Sequence, residues 1–197
     1  MNEFRRLGEK YGVTKFMDNK YPGQTFEFIY EDVFAPFKND KLKILEIGIQ
    51  EGGSLKVWRD YFPNAQIVGI DIDKNYIYQE ERIDTYLIDQ SDIIAMEELL
   101  KKYKYFDIVI DDGGHYSKQQ IITLNLLLPY TKYIYCVEDL DTSYPEIFPD
   151  FSPANEESIV MVLKHIVDWA VLDKTDIEKI DFRKRFCAIY KKKLETG

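Results

Sequence analysis

Strand-like and helix-like runs alternate along most of this chain, and that alternation constrains the fold more than any other feature. The apolar runs LKILEIG, QIVGID, TYLID, FDIVIDD and YIYCVED each end in glycine or an acid, and GGSLKVWRDYF, SDIIAMEELLKKY and SKQQIITLNLLLPY lie between them. In the second of these linking runs Ile94, Leu99 and Leu100 recur at helical spacing, and in the third Ile122, Leu126 and Leu127 do. Short apolar runs joined by helical crossovers are the pattern of parallel βαβ units. The expectation is therefore an α/β fold, a doubly wound Rossmann-like sheet of five parallel strands.

The two ends of the chain depart from this repeat. FEFIYEDVFAPF places Phe26, Ile29, Tyr30, Val33 and Phe37 on one helical face and predicts an N-terminal capping helix. After the fifth strand, EESIVMVLKHIVDWAVL reads as an amphipathic helix. DIEKIDFRKRFCAIYKK then reads as two strands turning at Arg183 to Arg185, hence a C-terminal antiparallel hairpin. With 197 residues, 45% of them apolar, the chain suits one core. A single domain is expected, with residues 1–40 as cap and 41–197 as core. Residues 141–157 carry three prolines and predict a long loop of the kind that forms lids.

In a doubly wound sheet ligands sit beyond the carboxyl ends of the strands, which makes the polar residues there candidates. The first strand ends in Glu46, Gly48, Gly52 and Gly53, a spacing that does not match G-x-G-x-x-G. An acid ahead of the first glycine is poorly placed beside a pyrophosphate and suits a ligand with positive charge. Asp71 ends the second strand 23 residues after Gly48, where a carboxylate can accept from both hydroxyls of a ribose. Asp89 ends the third strand, where it can accept from an adenine amino group, with Gln90 as a second contact. Together these describe an adenosine ligand without phosphates, and S-adenosylmethionine (SAM) is the obvious one.

The fourth and fifth strands end in a crowd of acids: Asp111 and Asp112 followed by His115, then Glu138, Asp139 and Asp141. Carboxylates brought together repel one another unless a cation balances them, and all-oxygen ligation points to Mg²⁺, Mn²⁺ or Ca²⁺. His115 follows a Gly-Gly turn that would project it into the cleft. The other histidine, His165, falls within an apolar helical pattern and reads as a structural or partly exposed helix residue.

LEIGIQEGGSLKVWRDYFPNAQIVGIDID, IDQSD, IVIDDGGH and VEDLDTSY resemble segments of the metal-dependent sugar O-methyltransferases of the macrocin and mycinamicin type, and the leading stretch EKYGVTKF is similar to one in that family. The resemblance implies a class I methyltransferase fold, SAM as methyl donor and Mg²⁺ (or Mn²⁺) as metal. Carried over by motif, Asp112, Glu138 and Asp139 become metal ligands and His115 the base that takes a sugar hydroxyl proton. Glu46, Gly48, Asp71 and Asp89 line the cofactor site in the resemblance, and the strand-end reading adds Gly52 and Gln90. Two departures from the family are read: Gly114 stands where the serine before the histidine is usual, and a separate amino-terminal domain of the kind some members carry is not expected.

A net charge of −9 disfavours nucleic acid and anionic membrane as partners, and Lys191 to Lys193 read as a solvated run. No apolar run has the length of a signal peptide or membrane span, so a cytoplasmic setting is expected, with Cys136 and Cys187 as buried thiols. The expected partner is a sugar-containing small-molecule acceptor, and the sequence leaves a homo-oligomer open. Two rival readings are a nicotinamide-dependent oxidoreductase and a non-catalytic methyltransferase-like binding module. The missing dinucleotide fingerprint weighs against the first, and the complete histidine and carboxylate set against the second.

Overall fold

Alternating side chains on the central strands divide the interior into two cores, and the elements follow from that division. The computed structural model describes residues 2–17, 26–153 and 155–192; Lys193 and Ala154 lie outside the described residues. In chain order the elements are α1 (Glu3–Tyr11), α2 (Glu27–Phe34), β1 (Lys43–Ile47), α3 (Gly53–Tyr61), β2 (Gln66–Asp71), β3 (Gln79–Glu80) and β4 (Ile83–Leu87). They continue with α4 (Ile93–Tyr103), β5 (Phe106–Asp111), α5 (Ser117–Leu127), β6 (Thr131–Val137), α6 (Ile159–Val171), β7 (Ile177–Arg183) and β8 (Phe186–Lys191). The sheet order is β3-β4-β2-β1-β5-β6-β8-β7. Strands β4, β2, β1, β5 and β6 pair in parallel, whereas β8 and β7 form the antiparallel hairpin. The short antiparallel edge strand β3 was not expected.

Ile44, Ile67, Ile108 and Ile134 face α1, α2 and α3, and Leu45, Val68, Val109 and Tyr135 face α4, α5 and α6. The result is a three-layer α/β/α domain with period-2 burial on both faces of its sheet. The first core is dominated by aromatic rings. Phe4 of α1 stacks on Tyr61 at 4.0 Å between centroids, and Tyr30 of α2 meets Trp58 of α3 at 5.0 Å. Aromatic pairs at such spacing add about 0.5–1.5 kcal/mol each beyond burial, which docks the N-terminal helices firmly on the sheet.

In α4 the burial phase differs from the expected one. Ile94 is 74% exposed, and Met96, Leu99 and Leu100 form the inward stripe. Asp92 caps this helix, accepting from the Ala95 N–H, and so fixes its start one turn before Met96. Both Cys136 and Cys187 are buried, unpaired thiols. Among the described residues no helix is long and apolar enough to cross a membrane.

Candidate functional site

The sheet order reverses at β1, which has β2 on one side and β5 on the other. In such folds a crevice opens above the strand ends at this switch point. Here it consists of two adjoining cavities, of about 580 Å³ and 230 Å³, both bordered by Gly48, Gln50 and Asp112.

The smaller cavity lies over β2 and β4. Asp71 and Asp89 line it with Ile72, Tyr76, Gln90 and Gln119. Asp71 holds the glycine loop: one oxygen accepts from the Ile49 and Gln50 N–H groups, both at 3.0 Å, and the other from the Asp73 N–H at 2.9 Å. Gly48 adopts φ +80°, and a Cβ there would lie 2.2 Å from the Asp112 carbonyl oxygen. Only glycine lets β1 and β5 approach so closely at their ends. Gln90 is turned inward: its Oε1 accepts from the Gly114 N–H at 2.7 Å and holds the Gly113–Gly114 turn in place. Asp89 accepts from the Ser91 N–H at 2.8 Å.

Two residues expected in the cofactor site lie outside both cavities. Glu46 is fully buried on the α3 side of β1, where it accepts from Ser54 Oγ at 2.6 Å, Trp58 Nε1 at 3.0 Å and Lys15 Nζ at 3.3 Å. Strand alternation explains this, because Glu46 shares a face with Ile44, which the helices cover. Gly52 precedes α3 at φ +74°, against the Tyr78 ring, and so shapes the loop from behind.

The larger cavity runs from the end of α1 to the acid cluster. Asp112, His115, Glu138, Asp139 and Arg185 border it. Asp112, His115 and Asp139 each offer a ligand atom, all within 4.8 Å of one another. His115 Nε2 lies 3.5 Å from an Asp139 oxygen, while its Nδ1 is buried without a hydrogen-bond partner. His115 and Asp139 both have left-handed backbones, φ 59° and φ 54°, which cost energy in side-chain-bearing residues and cluster at functional sites. Thr142 Oγ1 pins the His115 turn by donating to its carbonyl at 2.9 Å.

Glu138, expected as a third ligand, is engaged elsewhere: its Oε1 accepts from Lys15 Nζ at 2.8 Å and from the Tyr30 hydroxyl. Burial first, and Asp112 second, push its carboxyl up to about 8, which Lys15 and Tyr30 only partly offset. Burial and Asp112 likewise raise Asp139. On the other rim Arg185 pairs with Asp139 and, at 2.8 Å, with Asp141. Lys15 and Arg185 thus answer five carboxylates: Glu46, Asp112 and Glu138 on one, Asp139 and Asp141 on the other. The surplus of carboxylate oxygens fits a hard divalent cation, and the imidazole nitrogen of His115 without a hydrogen-bond partner lies beside them.

Lys15, Tyr30 and Arg185 had no expected role at the site, and neither did Ile72 or Tyr76. Lys15 sat inside the resemblance as part of EKYGVTKF, which was the one available signal for it.

A doubly wound sheet with an antiparallel C-terminal hairpin, a glycine loop after β1 and acids after β2 and β4 defines the class I methyltransferase architecture. Comparison with known proteins narrows this further. No family model matches the chain. It is 34% identical over 159 residues to the 8-demethyl-8-alpha-L-rhamnosyl tetracenomycin-C 2'-O-methyltransferase of Streptomyces olivaceus, covering 76% of this chain and 42% of that protein. It is also 34% identical over 150 residues to the demethylmacrocin O-methyltransferase of Streptomyces fradiae, covering 71% and 38%. The MycE methyltransferase of the mycinamycin biosynthetic pathway, solved with Mg, SAH and mycinamycin VI, superposes with a TM-score of 0.85 at 28% identity, covering 99% of this chain and 56% of that one. The chain is a homologue of the sugar O-methyltransferases of the macrocin and mycinamicin type. It spans about two-fifths of the length of the curated relatives it matches.

Proposed function

We propose that this protein transfers a methyl group from SAM to a hydroxyl of a sugar-containing acceptor, with help from Mg²⁺ or Mn²⁺. The observation that carries this is the junction of the two cavities at Gly48 and Asp112, where the smaller lobe, lined by Asp71 and Asp89, adjoins the one that holds the histidine and carboxylate cluster. One relative is by name a rhamnosyl tetracenomycin-C 2'-O-methyltransferase and another a demethylmacrocin O-methyltransferase, and MycE was solved with Mg and SAH, which supports the same donor and metal here. The reading includes one catalytic domain, capped by residues 1–40, working in the cytoplasm as a monomer or homo-oligomer.

In this reading Asp71 and Asp89 receive the ribose hydroxyls and the adenine amino group, with Ile72 and Tyr76 as apolar walls of the lobe. Gly48 gives the sulfonium end a path toward Asp112. Asp112, Glu138 and Asp139 would hold the cation, with His115 beside them. The cation, when bound, supplies charge that lowers the pKa of a neighbouring hydroxyl. Methyl transfer from sulfur to oxygen is an in-line displacement, so the protein must hold the acceptor oxygen about 3 to 3.5 Å from the methyl carbon. His115 takes the hydroxyl proton onto an imidazole nitrogen as the O–C bond forms and the S–C bond breaks, and the other product is S-adenosylhomocysteine (SAH). The left-handed turn at His115, pinned by Thr142, keeps the imidazole over the acids rather than in solvent.

The test is an acceptor screen with SAM and Mg²⁺ over nucleotide sugars, capsule or lipopolysaccharide sugars and glycosylated metabolites. Mass spectrometry should find an acceptor that gains one methyl group as SAH accumulates in equal amount. SAM that binds but methylates no glycosylated acceptor, while methylating a sugar-free phenol or carboxylate, would overturn the sugar assignment.

A further inference from the structure

The contact that needs most explanation is a lysine in the middle of a cation site. Lys15 comes from the short 3₁₀ turn Thr14–Phe16 in the N-terminal cap, 97 residues before Asp112 and 123 before Glu138. Its ammonium lies 2.8 Å from Asp112 Oδ2, 2.8 Å from Glu138 Oε1 and 3.3 Å from Glu46 Oε1. Three rings surround the same ammonium, with centroids of Phe16, Tyr30 and Trp58 at 5.9, 6.0 and 5.7 Å. Aromatic faces at such distances favour a cation, so the position suits an ammonium on both its acidic and its apolar side. The Lys15 carbonyl in turn accepts from the Phe26 N–H at 2.7 Å, which fixes the turn to the start of α2.

We propose that Lys15 is an internal counter-cation that competes with the divalent metal for Asp112 and Glu138. This rests on the metal-dependent reading above and adds a residue to it. Without metal, the ammonium holds carboxylates that would otherwise repel one another inside the fold. With metal, the oxygens of Asp112 and Glu138 that now receive Lys15 become available only as the ammonium withdraws toward Glu46 and the aromatic rings. Thr14 and Lys15 of the cap turn border the larger cavity, so in this proposal the position of the turn is tied to whether metal is bound. Lys15 is a positioning residue here, since it acts through Asp112 and Glu138 and not on the acceptor.

The experiment measures Mn²⁺ affinity by calorimetry, with no cofactor or acceptor present. It compares the parent protein, Lys15→Arg, Lys15→Met, Glu46→Gln and the double variant Lys15→Met with Glu46→Gln. Glu46 is outside the proposed ligand set, and a glutamine oxygen there can still accept from Ser54 and Trp58. The double variant removes one cation and one anion together, which keeps the metal-free fold in charge balance if the single Lys15→Met protein fails to fold. Removing the ammonium in the Glu46→Gln background should tighten Mn²⁺ binding by about 10-fold or more, a difference of about 1.4 kcal/mol. In Lys15→Met itself Mn²⁺ should raise the melting temperature further than in the parent, and Lys15→Arg should stay close to the parent on both measures. Weaker or unchanged Mn²⁺ binding in the double variant overturns the proposal, because Lys15 would then orient the ligands or stand apart from them. Failure of both Lys15→Met proteins to fold even in Mn²⁺ also overturns it, since the ammonium would then be a structural tie in both states. If the parent protein and all variants bind no Mn²⁺, the metal-dependent reading falls as well, which separates the two failures.

Discussion

Replacing Asp71 with alanine separates two jobs that one carboxylate performs. In the structure it accepts three backbone N–H groups, from Ile49, Gln50 and Asp73. Ile49 is 2% exposed, so its N–H would lose the Asp71 acceptor and water could not easily replace it; that costs about 1–3 kcal/mol. Gln50 is exposed and Asp73 half-buried, so water takes over there at little cost. The Asp71→Ala protein should therefore lose about 1–3 kcal/mol of stability without any ligand, read as a lower urea midpoint at unchanged slope. Cofactor affinity should fall further, because a hydrogen bond to a charged acceptor contributes about 1.5–3 kcal/mol, equivalent to roughly 10- to 150-fold in Kd for SAH by calorimetry. Asp71→Asn keeps one oxygen for Ile49 and Gln50 and should lose less on the first measure than on the second. An unchanged urea midpoint in Asp71→Ala would refute the loop-anchor reasoning. Lower stability with unchanged SAH affinity would leave Asp71 as scaffold and remove it from ribose recognition.

Three further outcomes follow from specific contacts. Gly48→Ala puts a Cβ 2.2 Å from the Asp112 carbonyl oxygen at φ +80°, so it should cost about 2–4 kcal/mol and abolish SAH binding; a parent-like melting temperature would contradict the close approach of β1 and β5. Burial alone would raise the Asp60 carboxyl, but hydrogen bonds from Lys10, Tyr11 and Arg59 hold it down at about 2 against an ordinary 3.8. A depressed carboxylate stabilises the fold above its unfolded value and loses that contribution as pH falls from 3.8 toward 2, so Asp60→Asn should flatten the stability drop across that interval in acid denaturation; an equally steep drop would contradict it. His115→Ala should slow methyl transfer by roughly 10²- to 10⁴-fold with SAH affinity nearly unchanged, and a full rate in the variant would make His115 a turn residue only.

The parallel strands were legible because they are covered on both faces, so their sequences are continuous apolar runs bounded by glycine and acid. The hairpin was legible for a different reason, its two strands meeting at a basic turn that the structure places at Lys184 and Arg185. Helix α1 was not, since EFRRLGEKY buries only Phe4, Leu7 and Gly8 and otherwise reads as a polar leader. Ile94 misled because an apolar residue in the first turn of a helix need not belong to its buried stripe. At the site, sequence spacing could place Asp71 and Asp89 at strand ends but not show that Glu46 faces the helices, although strand alternation with Ile44 contained that information. The pairings of Lys15 with Asp112 and Glu138, and of Arg185 with Asp139 and Asp141, span 44 to 123 residues, and no local pattern encodes them.

The central claim is metal-assisted methyl transfer at the junction of the two cavities. The most direct measurement is the rate of SAH formation with a responsive glycosylated acceptor, taken in excess chelator, after Mg²⁺ is restored, and in Asp112→Asn. The account predicts no turnover in chelator, recovery on adding Mg²⁺, and no recovery in Asp112→Asn at any Mg²⁺ concentration that restores the parent. Full turnover in chelator, or an Asp112→Asn protein that works as well as the parent, would contradict it.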